Sequence, residues 1–160
     1  MKKNTKEITR AAIIAALYVL LTFLSNLFGL ASGAVQLRLS EALIAICLFT
    51  PAGIYGTTVG CFLSNLLFGC TLPDIIFGSL ATLLGALGTY FIGKKFKIPA
   101  LLAPVISNTL IIPFILHFSY NLSPIAVFFA TVGIGELLSC FILGIPVFKI
   151  IQKNRNALGL

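Results

Sequence analysis

Charge is almost absent from long stretches of this chain. Between Arg10 and Lys94 the charged residues are Arg38, Glu41 and Asp74, and between Lys97 and Lys149 there is Glu136 alone. A water-soluble domain carries roughly 25% charged residues, and it could not hide apolar runs of this length. Here 9% of 160 residues are charged and the mean hydropathy is +1.10, so lipid must be the solvent for most of the surface. The remaining basic residues fall into three short clusters: Lys2, Lys3, Lys6 and Arg10; Lys94, Lys95 and Lys97; Lys149, Lys153 and Arg155. Short basic clusters between long apolar runs are the positive-inside pattern of a polytopic membrane protein. The net charge of +7 is therefore no nucleic-acid footprint, because no basic run carries interleaved base-stacking aromatics.

The start of the chain, basic and then apolar up to "LASGA", imitates a signal peptide. Its apolar run from Ile8 to about Leu30 exceeds the ~7–15 residues of a signal core, and further apolar runs follow, so it reads as a first span. A span takes about 20 residues at ~1.5 Å rise each. The punctuation at "GLASGA", "TPAG", "CTLPD", "GKKFKIP" and "SYNLSP" places helices at about 8–29, 39–50, 52–70, 74–93, 98–117 and 124–148. The expected fold is all-α and integral to the membrane: six transmembrane helices in one bundle, a single domain over residues 1–160. The second helix is short and calls for tilt or bilayer thinning. Six spans put both termini on one side, and the three basic clusters fall there too, with Arg38 the exception. Both termini are thus expected in the cytoplasm, with the protein in the cell membrane. Neither an internal repeat nor a broken central helix is legible.

An ionisable group within the bilayer is costly unless it is paired or faces a cavity. On this topology Arg38 and Glu41 lie at the outer end of the second helix and Asp74 at that of the fourth. Asn65 lies in the outer part of the third helix, Asn108 deeper in the fifth, and Glu136 near the middle of the sixth. Each has a plainer alternative. Arg38 and Glu41, three residues apart, could pair on one helix face; Asp74 after Pro73 could be a helix cap; Asn65 and Asn108 could bridge helices. His117 reads as an interface residue. Glu136, in "GIGE", has the weakest structural alternative. One arginine against three carboxylates leaves a net acidic interior, which favours a small cationic or donor-rich ligand entering from outside. Cys47, Cys61, Cys70 and Cys140 lack metal-ligand spacing and read as packing residues. Motifs such as HExxH, GxSxG and the P-loop are missing, so the chain is not read as an enzyme. Ala11, Ala12, Ala15 and Ala16 give the first helix two overlaid small-residue pairs that permit close helix approach, within the bundle or with a partner.

"VQLRLSEAL", "GCFLSNLLFG", "PDIIFGSLATLLGAL" and "GIGELLSCFILGIP", in this order from Val35 to Pro146, resemble the QueT family of membrane proteins. The resemblance implies a substrate-binding S-component of an energy-coupling factor (ECF) transporter, with six helices and an outward-facing pocket. The implied ligand is a queuosine precursor such as 7-aminomethyl-7-deazaguanine. Such a component needs no cofactor; ATP is used by two cytoplasmic ATPases that act through a transmembrane coupling subunit. It further implies Ala11, Ala12, Ala15 and Ala16 as the coupling-subunit contact, and an acidic pocket suits an aminomethyl cation. Arg38, Glu41, Asn65, Asp74, Asn108 and Glu136 are the candidate substrate-binding residues. Two rivals remain: an S-component for another cation, thiamine-like for example, and a stand-alone transporter that uses Glu136 for proton coupling.

Overall fold

A computed structural model describes residues 2–30 and 37–159. Residues 31–36, which include most of the expected "GLASGA" break and the first two positions of "VQLRLSEAL", lie outside the described residues. The chain forms α1 (Lys2–Leu27), a 3-10 helix (Leu39–Leu48) and α2 (Ala52–Leu67). A π-helical turn, Asp74–Gly78, leads into α3 (Ser79–Gly93), and a 3-10 turn, Pro99–Leu101, into α4 (Leu102–Tyr120). Then α5 (Ile125–Glu136) runs through a π-helical segment (Leu137–Leu143) into α6 (Gly144–Lys153). Among the described residues this gives six continuous helical bodies and no strand. Four of them are long and apolar enough to cross a membrane: Thr5–Leu27, Asp74–Gly93, Pro99–Tyr120 and Ile125–Lys153.

The helix ends follow backbone chemistry more than hydropathy. The third helical body stops at Leu67, short of the expected 70, where Gly69 adopts a φ of 71° that favours glycine. The fifth passes His117 to Tyr120 and is stopped by Asn121 at φ 52°, a left-handed cap. The sixth reaches Lys153. Its ladder is continuous yet irregular from Leu137 to Leu143, directly after Glu136, and the fourth body is irregular at Asp74. The sequence marked a helix start at Asp74 but no irregular turn there, and it showed no break after Glu136. A π-helical insertion keeps the hydropathy pattern while it re-aims side chains, so period counting passes over it.

Leu39–Leu48 is an interior element. Ser40, Glu41, Ala42, Ile44, Ala45 and Cys47 are all buried. Ile44 and Cys47 pack with Ile54 and Ala86, while Ala45 packs with Leu101 and Phe148. Side-chain bonds tie this helix to α1, since Thr22 Oγ1 donates to Ser40 Oγ (2.9 Å) and the Leu39 N–H donates to Ser25 Oγ (2.9 Å). On its other side the Arg38 N–H donates to Ser139 Oγ (3.1 Å). α1 and α2 approach closely because α2 offers glycine. A Cβ at Gly56 would stand 2.6 Å from Ile14 Cβ, and one at Gly60 would stand 2.6 Å from Tyr18 Cβ. Ile8, Leu20, Phe91, Phe118 and Ile142 are exposed outside the bundle, as lipid contact requires. At the end that carries the basic clusters, Arg10 pairs with Glu7 (2.6 Å) and donates to the Gly159 carbonyl (2.6 Å). Thr50 donates to Glu7 there (3.0 Å).

Candidate functional site

A cavity of about 320 Å³ opens among α1, α2, α4 and the Asp74 turn, at the end of the bundle away from the basic clusters. Its polar lining is Thr22, Asn26, Arg38, Asn65, Asp74 and Tyr120, with Phe68, Ile112, Ile115 and Leu116 among the apolar wall. Three of the sequence candidates, Arg38, Asn65 and Asp74, therefore share one cavity.

Asp74 is not a cap. Pro73 occupies the N-cap position without a side-chain bond, and Asp74 sits inside the first turn. Its Oδ2 accepts from the Tyr120 hydroxyl (3.0 Å), which in turn accepts from the Thr71 N–H (3.3 Å). Its Oδ1 is buried without a hydrogen-bond partner. Asn65 Nδ2 donates to the Asp74 carbonyl (3.2 Å), which fixes α2 against the turn. Gly78 allows this crowding: a Cβ there would lie 2.8 Å from Asp74 Oδ1 and 3.1 Å from Asn65 Nδ2.

The other three candidates form a second layer. Thr22 and Ile112 line the cavity; Tyr18 and Asn108 lie four residues earlier on the same helices, about 6 Å deeper. There Glu41 is 1% exposed, Asn108 3% and Glu136 6%. Asn108 neighbours both carboxylates. An oxygen of Glu41, an oxygen of Glu136 and the Cys140 sulfur lie within 4.8 Å of one another. Cys140 Sγ donates to Glu136 Oε2 (3.3 Å).

The i, i+3 pairing of Arg38 with Glu41 does not form. Among the described residues Arg38 makes no ion pair within 4.0 Å, and Glu41 Oε1 accepts instead from the fully buried Tyr18 hydroxyl. The reason is the backbone: Arg38 precedes the helix in extended conformation (φ −106°, ψ 105°), so the spacing rule for a helix face does not reach it. Glu41 Oε2 is buried without a partner. Tyr18, Thr22 and Tyr120 are the residues that sequence reasoning missed. The first two carried a signal, because Tyr18, Thr22 and Ser25 make a polar stripe at i, i+4, i+7 on an otherwise apolar helix.

The alanine set divides. Ala15 is buried and Ala11 half-buried, and their carbonyls face Gly60 and Gly56 of α2. Ala12 and Ala16 are exposed. Ala11, Ala12 and Ala15 line an external groove with Ile8, Tyr55 and Val59. His117 lies at the rim, its Nδ1 bonded to the Leu122 carbonyl at 2.8 Å and its ring against Phe118.

A family model described as QueT transporter matches residues 8–153. Over 82 residues the chain is 42% identical to a protein of Lactococcus lactis subsp. cremoris (strain MG1363) named queuosine precursor transporter QueT. That alignment covers 51% of this chain and 48% of the relative, so the chain spans about half the length of the curated protein it matches. No solved structure matches the chain.

Proposed function

Because the chain belongs to the QueT transporter family, we propose that it binds a queuosine precursor for import, as the substrate-specificity component of an ECF-type transporter in the cell membrane. The observation that carries this reading is the polar cavity above two buried carboxylates in an apolar helical body. A ligand of the 7-aminomethyl-7-deazaguanine type matches both layers. Its guanine-like ring offers donors and acceptors to Asp74, Asn65 and Arg38, and its ammonium suits Glu41 and Glu136, with Asn108 between them. The test is a binding screen on purified protein with deazaguanines, guanine and thiamine. Saturable binding of the deazaguanine alone supports the reading, and a preference for thiamine moves it to another cation. Uptake that proceeds without ATPase partners would favour a stand-alone, proton-coupled transporter built around Glu136.

The cavity faces outward in this reading, and both termini lie in the cytoplasm. Cysteine substituted at Asn121 should then react with an impermeant reagent added from outside, and cysteine at Lys95 only from inside. The reverse pattern turns the cavity to the cytoplasm and removes the import reading.

A coupling subunit and two cytoplasmic ATPases complete the proposed assembly, which docks on the exposed part of the alanine face. Ala12→Leu or Ala16→Leu should impair co-purification with the coupling subunit and leave ligand affinity within about twofold, since a Leu side chain holds a partner helix away. Lost ligand binding with assembly intact assigns the face to internal packing instead.

A further inference from the structure

Glu41 and Glu136 bring carboxylate oxygens within 4.8 Å of each other at 1% and 6% exposure. Among the described residues no Lys or Arg stands within 4.0 Å of either. The groups facing them are Tyr18 from α1, Arg38 from the segment before Leu39, Cys47 from the 3-10 helix, Cys61 from α2, Asn108 from α4 and Cys140 from the segment after Glu136. Arg38 is the one cation in this set, and it also faces Asp74. Tyr90 of α3 lies beside Lys94, toward the basic end, and Lys149 and Lys153 of α6 belong to that end as well. Two negative charges this close in an apolar interior do not both persist unless a positive charge joins them. A second observation points the same way: Glu41 Oε2, on a side chain buried at the centre of this group, has no hydrogen-bond partner.

We propose that Glu41 and Glu136 form a site for one small positive charge, filled by a shared proton in the empty protein and by the substrate's ammonium in the loaded one. Substrate binding then expels a proton. The proposal rests on the cationic-precursor reading above. The exchange balances: the ammonium keeps its own protons, the shared proton leaves to water, and the net charge of the interior does not change. Because the loaded state holds fewer protons than the empty one, affinity rises with pH, by up to about tenfold per pH unit for one proton. The pair titrates as a unit, so no single residue owns the proton.

Two measurements test this. In the first, 7-aminomethyl-7-deazaguanine is titrated calorimetrically into the purified full chain, in buffers of different ionisation enthalpy at one pH. About one proton released per ligand is expected for the parent, and release near zero in Glu136→Gln. A parent binding enthalpy that is the same in every buffer overturns the proposal. In the second, infrared spectra of the ligand-free protein in heavy water should show a protonated-carboxyl band at neutral pH. That band should vanish in the Glu41→Gln/Glu136→Gln double variant. A parent without the band overturns the proposal whether or not any ligand binds. A parent with the band that binds no deazaguanine keeps the proton-holding pair and removes the queuosine-precursor reading.

Discussion

Glu136→Gln is expected to weaken deazaguanine binding by more than a hundredfold while leaving the fold intact. Removing one partner from a buried charged contact costs about 3–5 kcal/mol, and each ~1.4 kcal/mol is tenfold in affinity. The substitution keeps the side chain's shape but turns one acceptor into a donor that faces the ligand's donors. In the empty protein it also removes one of two buried carboxyls, with oxygens within 4.8 Å of each other, that otherwise have to hold a proton between them, so the unfolding temperature should hold or rise. Glu41→Gln should follow the same pattern with one difference, since Tyr18 donates to Glu41 and an amide oxygen can still accept that bond. Affinity measured beside thermal stability separates the cases. If Glu136→Gln binds like the parent, Glu136 is only an interhelical contact and the acidic site is lost.

Gly60→Val should produce a large loss of stability. A Cβ at this position meets Tyr18 Cβ at 2.6 Å and the Ala15 carbonyl oxygen at 3.1 Å, atoms held by the α1 backbone and unable to swing aside. The two helices must separate. Overpacking of this kind costs about 1–3 kcal/mol, and the upper end corresponds to roughly 6–12 °C in unfolding temperature for a chain of this size. The displaced Tyr18 then leaves Glu41, so ligand affinity should fall in the protein that does fold. Gly133→Ala is the control: its added Cβ meets Thr109 side-chain atoms at 3.4 Å, an ordinary contact. A Gly60→Val protein as stable as Gly133→Ala means that the close α1–α2 contact is not what sets the position of Tyr18.

Hydropathy and punctuation were enough to locate the helical bodies, because apolar runs, Pro51, Pro73 and Pro99 act locally. The rare charged and amide residues were equally visible, since each is costly in an apolar chain. Their partners were not. Arg38 and Glu41 looked like a pair because a helix was assumed to hold both, whereas Arg38 stands on extended backbone before the turn begins. Tyr18 reaches Glu41 across a gap of 23 residues, a relation that only the packing of α1 against the Leu39–Leu48 helix creates. The Tyr120 bridge between Thr71 and Asp74 depends on α4 running three residues past His117, and Asn121 decides that through its left-handed backbone.

The 3-10 winding of Leu39–Leu48 makes this stretch intolerant of changes in length. With three residues per turn, a single inserted or deleted residue rotates everything beyond it by about 120° and shifts it by about 2 Å. Glu41 would swing from Tyr18 toward one of the flanking helices, and Ile44 and Cys47 would leave the cluster they share with Ile54 and Ala86. Lipid-facing helices can absorb such slips by sliding along the bilayer normal; a rod that buries Ser40, Glu41, Ala42, Ile44, Ala45 and Cys47 against its neighbours cannot slide without breaking those contacts. Chains descended from a common ancestor should therefore vary in length in the connections around this rod, and within it only by exchange of one residue for another.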